Sequence, residues 1–149
     1  MTSEIETLRK SDLFIILEDA ELKKIYEIME KRNTHEGEKL AISGENARFF
    51  FFLISGTLLL SMEKGKSAVF DDPGDFIGLE ILSSKGIYKN ALTALTKGEV
   101  FAVNRNAFLN IIFENTPVSR HIIHAWNNYR LRKIPFAGQR DFFTTGYQY

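Results

Sequence analysis

The sequence predicts a mainly β protein, an antiparallel sandwich or barrel with helices at either end. Glycines at 37, 44, 56, 65, 74, 78, 86 and 98 punctuate the middle of the chain, mostly eight to twelve residues apart, the rhythm of short strands joined by tight turns. The runs between them are rich in Phe, Leu, Val, Ile and Thr, side chains that suit a pleated, half-buried surface. On both sides of this stretch the apolar residues fall at helical spacing instead.

In chain order, apolar residues from Leu8 to Phe14, and then Leu22, Ile25, Tyr26, Ile28 and Met29, predict helices near 8–14 and 20–29. The character changes at His35, and strands are predicted near 39–42, 49–54, 57–62, 67–70, 88–95 and 100–103. Phe49, Phe50, Phe51 and Phe52 place two rings on each face of their strand. Such a strand is covered on both sides, by the facing sheet and by helices, and core packing explains it better than an aromatic binding platform. Helical spacing returns with Phe108, Leu109, Ile111, Ile112 and Phe113. Thr116-Pro117 restarts it, Thr as N-cap and Pro at the first helical position, and the helix runs to about Lys133.

With 149 residues the chain fits one domain that can bury a core without staples. Apolar residues make up 44% and charged residues 26%, ordinary for a soluble globular protein. There is no cysteine, which removes disulfides, thiol catalysis and zinc–thiolate sites. The acidic, amphipathic start MTSEIETLRKSD is no signal peptide. The longest apolar stretch, 49–54, is too short for a bilayer, so a cytoplasmic location off the membrane is expected. The net charge of zero is unevenly spread: from residue 116 onward five cations face the single acid Asp141, leaving +4 there and −4 in the first 115 residues. A basic end can contact nucleic acid, but these cations are scattered and read more simply as a solvated face or a partner of the acidic part.

Catalytic constellations are missing. No G-x-S-x-G, Walker A loop or H-E-x-x-H occurs. His121 and His124 share a helix face, yet no Asp, Glu or Cys stands at helical spacing to complete a metal site. Surface or interface histidines are the expectation. Glu36 and Glu38 flank Gly37 in a turn and look solvated. No enzyme activity and no metal are expected.

Residues 74–91, GDFIGLEILSSKGIYKNA, are the most informative segment. Amid strands, its centre reads as one helical turn opening on Gly78. A helix N-terminus offers unpaired N–H groups to an anion, and Lys89 folded back over it would complete a phosphate-sized pocket. The plainer reading has Leu79, Ile81 and Leu82 plugging a barrel corner, with Lys89 in solvent.

The succession Leu8, Leu13-Phe14, Glu21-Leu22, Gly37-Glu38-Lys39-Leu40, Ser43-Gly44, Phe52-Leu53-Ile54-Ser55-Gly56 and Pro73-Gly74-Asp75-Phe76-Ile77-Gly78 resembles the cyclic-nucleotide-binding domain family. More closely it is similar to the effector domain of catabolite-activator-type bacterial regulators, over roughly residues 8–130. The resemblance implies a jelly roll, or double-stranded β-helix, of eight strands. It divides a domain of residues 1–133 into N-terminal helices (1–33), the jelly roll (34–104) and C-terminal helices (105–133), followed by an aromatic tail (134–149).

It also implies that residues 74–91 are the phosphate-binding cassette, with Gly78, Leu79, Glu80, Ile81, Lys89, Asn90 and Ala91 as candidate ligand-binding residues. The family pattern has Gly-Glu on the short helix, the acid holding the ribose 2′-hydroxyl, and an Arg, a small residue and Ala at the far end, the arginine gripping the cyclic phosphate. Here Gly78 matches, Lys89-Asn90-Ala91 takes the place of the Arg triplet, and Leu79 stands where the acid belongs. Glu80 is one residue late, a rotation of about 100° on a helix. Arg offers a planar fork and Lys a single compact charge, while the ribose hydroxyls lose an acceptor. Together the changes imply binding weaker by about 10² to 10⁴. The cassette is therefore expected to be degenerate, holding a cyclic nucleotide or another small anion weakly, or keeping its shape without a ligand.

On the last helix Val118, Ile122, Ala125, Trp126 and Tyr129 form an apolar stripe. The resemblance implies a helix that pairs with its twin in a homodimer and closes over the ligand; the alternative is a stripe packed only on its own barrel. Residues 136–149 carry Phe136, Phe142, Phe143, Tyr147 and Tyr149 but no helix-turn-helix pattern, so DNA is not an expected partner. The leading functional expectation is a stand-alone regulatory module that senses a ligand and signals through its last helix. The alternatives are a ligand-free interaction or dimerisation scaffold that meets another protein or its own copy, and a transcription-regulator effector domain cut before its DNA-binding part.

Overall fold

A computed structural model describes residues 3–11, 14, 17–77 and 86–133. The chain opens with α1 (Ser3–Leu8) and α2 (Asp19–Tyr26). It continues through β1 (Met29–Thr34), β2 (Lys39–Ala41), β3 (Phe49–Ser55), β4 (Leu58–Ser61), β5 (Ser67–Phe70), β6 (Phe76–Ile77), β7 (Ala91–Ala94) and β8 (Gly98–Asn104). It closes with α3 (Arg105–Ile112) and α4 (Pro117–Lys133). The aromatic tail, 134–149, lies outside the described residues.

The eight strands form two antiparallel four-stranded sheets, ordered β1-β8-β3-β6 and β2-β7-β4-β5. Apart from the β4–β5 pair, neighbours within a sheet are distant in sequence, as in a jelly roll. The expectation of a mainly β protein with flanking helices is met, down to the exact start of α4. There Thr116 Oγ1 accepts from the Ser119 N–H at 3.0 Å, and Ser119 Oγ accepts from the Thr116 N–H at 2.8 Å. Such reciprocal bonds satisfy donors that a helix start leaves open.

β3 is the centre of the core. Phe50, Phe51, Phe52 and Leu53 are all buried, so both faces are covered. On one face Phe50 meets Phe108 of α3 at 5.9 Å and Phe52 meets Phe14 at 6.0 Å. Phe101 of β8 receives Tyr26 of α2 edge-on at 5.7 Å. This is the helix-covered side. Alternation turns Phe51 and Leu53 to the other side, where Leu58, Leu60, Phe70 and Leu92 of the second sheet belong to the same buried cluster.

Several elements differ from the sequence expectation. The first helix, expected near 8–14, is α1 (Ser3–Leu8), and residues 9–11 and 14 are turns and bends. The helix near 20–29 stops at Tyr26, and Met29 starts β1. β1 is an edge strand whose Glu30 and Lys31 are solvent-exposed, a composition that protects an edge but hides its strand character. Phe76 and Ile77 pair with Phe52 and Phe51 as β6, a two-residue strand too short to leave a period.

Candidate functional site

The cassette segment is held at both described ends by main-chain bonds. At its start the Gly74 N–H donates to the Leu53 carbonyl at 2.9 Å, and the Leu53 N–H donates to the Asp75 carbonyl at 2.8 Å. In the turn before β6 the carboxylate oxygens of Asp71, Asp72 and Asp75 lie within 4.8 Å of one another. Asp75 is buried, and its Oδ2 accepts from the Asp72 N–H at 3.2 Å; that bond accounts for its inward aim. Gly78, Leu79, Glu80 and Ile81, where the sequence leads one to expect the helical turn of the cassette, lie outside the described residues.

The far end runs antiparallel to residues 43–47. The Ala47 N–H donates to the Gly86 carbonyl, the Tyr88 N–H to the Glu45 carbonyl and the Gly44 N–H to the Tyr88 carbonyl, each at 2.8 Å. Ser43 Oγ adds a bond to the Lys89 carbonyl at 3.2 Å. Lys89 is thereby presented exposed on a fixed main chain, Asn90 is buried, and Ala91 opens β7 opposite Ser61. Lys89 thus stands exposed just before β7, an interior strand of its sheet.

Tyr88 is a residue that sequence reasoning missed. Its ring is buried, and its hydroxyl donates to the Phe49 carbonyl at 3.0 Å while accepting from the Phe49 N–H at 3.2 Å. Burial pushes its pKa up from the ordinary value of 10.0, opposed by the hydrogen bonds to the main chain and by Arg32 and Arg105. A hydroxyl working against a main chain 39 residues away leaves no local sequence signal.

On α4, Ile122 is fully buried in the subunit's own core, with Val118 and Ala125 partly buried against it. This part of the stripe packs inward, because α4 lies against α3 and the core behind it. The side chains of Trp126 and Tyr129 lie outside the described residues. His124 Nε2 lies 3.1 Å from Asn128 Nδ2, an amide contact along the exposed side of the helix.

The family profile described as the cyclic nucleotide-binding domain matches residues 31–115. No protein of curated function matches the chain. Among solved structures it is similar to a protein from Geobacter metallireducens named for cyclic nucleotide binding, at 21% identity and a TM-score of 0.75, covering 90% of this chain and 99% of that one. It is similar to the sensor domain of the transcriptional regulator DNR from Pseudomonas aeruginosa, at 20% identity and a TM-score of 0.70, covering 93% and 96%. The Thermus thermophilus catabolite activator protein is similar at 22% identity and a TM-score of 0.65, covering 85% of this chain and 61% of that one. At such identities the structural likeness speaks for the jelly roll alone. The profile match extends from within β1 through α3, well over half of the chain, and on it the chain belongs to the cyclic nucleotide-binding domain family.

Proposed function

We propose that the protein is a non-catalytic regulatory module that holds a nucleotide or another small anion weakly at its cassette and passes the response to α4. The observation that carries this reading is the mounting of Lys89, an exposed cation on a main chain bonded to residues 43–45. It stands where the family pattern has the phosphate-gripping arginine. Lysine keeps the charge and loses the fork, so binding is weakened rather than abolished. Leu53 of β3 bonds to the start of the cassette, β3 pairs with β8, and β8 runs into α3, which packs on α4. A ligand moves α4 along that route only by binding two arrangements of the chain with different affinity. A homodimer built on α4 belongs to the same proposal.

Calorimetric titration with cyclic AMP and cyclic GMP tests the reading. Weak, saturable heat is expected from at least one of them, and it should vanish in Lys89→Ala with the fold intact. No heat at millimolar nucleotide overturns the nucleotide form, and an unchanged affinity in the variant removes Lys89 from the site. The second reading is a ligand-free scaffold whose partner is its own copy or another protein. Leu79 in place of the ribose-holding acid favours it, and it predicts silence with both nucleotides.

A further inference from the structure

A cleft of about 520 Å³ lies between the start of β3, the start of α3 and Gly86, and it is lined by Asn46, Arg48, Asn104, Arg105 and Asn106 among others; of segment 74–91, its described lining includes Gly86 but not Lys89. Its polar groups are biased towards donors. Asn104 Oδ1 already accepts from the Ala107 N–H at 2.9 Å, and Asn106 Oδ1 from Arg105 Nη2 at 3.0 Å, so each amide has its NH₂ left to give. A guanidinium can only donate. Among the described residues neither Arg48 nor Arg105 forms an ion pair with a carboxylate. Glu45 lines an adjoining depression that shares Asn46 and Arg48, but among the described residues no carboxylate lines the cleft itself.

Arg105 is also placed in a way that a merely solvated arginine is not. Its Nε is enclosed and has no hydrogen-bond partner among the described residues, an arrangement that costs free energy unless something offsets it. Its main-chain N–H donates to the Arg48 carbonyl at 3.0 Å, fixing the two arginines to one another. Gly86 has φ +76°, and a Cβ there would come within 3.0 Å of Arg105 Nη1. The guanidinium therefore rests directly on the glycine main chain. Arg32, stacked 4.4 Å from the centre of the Phe49 ring, adds positive potential beside the cleft.

We propose that this cleft binds the phosphoryl group of a small phosphorylated molecule, at a site that does not use Lys89. Two guanidinium groups and the NH₂ groups of Asn104 and Asn106 line the cleft as donors, which suits a doubly charged tetrahedral anion better than a single carboxylate. The volume lies in the range of small-molecule sites and leaves room for the body of the ligand.

The test is amide NMR of the whole chain titrated with pyrophosphate, with sodium chloride at matched ionic strength and sodium acetate as the other arms. Saturable shifts are expected at Asn46, Arg48, Gly86 and residues 104–106, and Arg48→Gln should weaken binding roughly tenfold or more. Arg48 is exposed, so that variant keeps the fold; Arg105→Gln should weaken binding similarly, and if it unfolds, Arg48→Gln alone decides. Lys89→Ala should leave pyrophosphate affinity unchanged, which separates this site from one that uses Lys89. Shifts centred on residues 89–91, equal effects of acetate and pyrophosphate, an affinity untouched by Arg48→Gln, or no saturable shift would each overturn the proposal.

Discussion

At Gly98 a single carbon decides whether β8 can pass the β3–β4 turn. A Cβ there would lie 2.8 Å from the Ser55 carbonyl carbon and 2.9 Å from Gly56 Cα, both main-chain atoms that cannot swing aside. Gly98→Ala is expected to cost about 2–4 kcal/mol, read as a lower urea midpoint; a loss below 0.5 kcal/mol would refute the clash. Tyr88→Phe removes the hydroxyl from two main-chain groups of Phe49, at an expected cost of about 1–3 kcal/mol near neutral pH. Because the folded pKa of Tyr88 is raised, its contribution is complete below the unfolded value of about 10 and is lost as pH rises through the folded value. The stability gap between wild type and Tyr88→Phe should therefore narrow above about pH 10 in paired urea titrations. A constant gap would mean that folding leaves the Tyr88 pKa unshifted.

At the scale of elements, α4 tests which way its stripe faces. With Ile122 fully buried in its own subunit, Ile122→Ala is expected to cost about 2–5 kcal/mol of folding stability, the same at every protein concentration in a thermal melt. A loss that grows on dilution would place Ile122 between subunits instead. The elements also show what a sequence can carry. α4 was legible because Thr116-Pro117 is local chemistry, and β3 because four phenylalanines leave only a buried strand as a home. β1 was not: of its six residues only Thr34 is buried, and its pairing with β8, more than sixty residues later, appears in no local pattern. The family resemblance, rather than any local pattern, names Lys89 as a candidate for the cassette. The donor bias of the Arg48–Arg105 cleft was invisible, since it depends on which amide oxygens the fold has already engaged.

For the whole molecule, one buried cluster joins both sheets and the helices without any disulfide, so ligand binding anywhere on the native state should register as global stability. A cyclic nucleotide at ten times its Kd is expected to add about 1.4 kcal/mol and to raise Tm by a few °C. A flat melting profile across the titration would count against a native-state ligand at the cassette. Lys89 is carried by the antiparallel ladder that residues 86–89 form with residues 43–47. Most of its fastenings are amides and carbonyls, groups that nearly every residue type brings. Exchange of the side chain at 89 leaves those main-chain bonds in place, so the ligand preference of the proposed site can change without remaking the architecture beneath it.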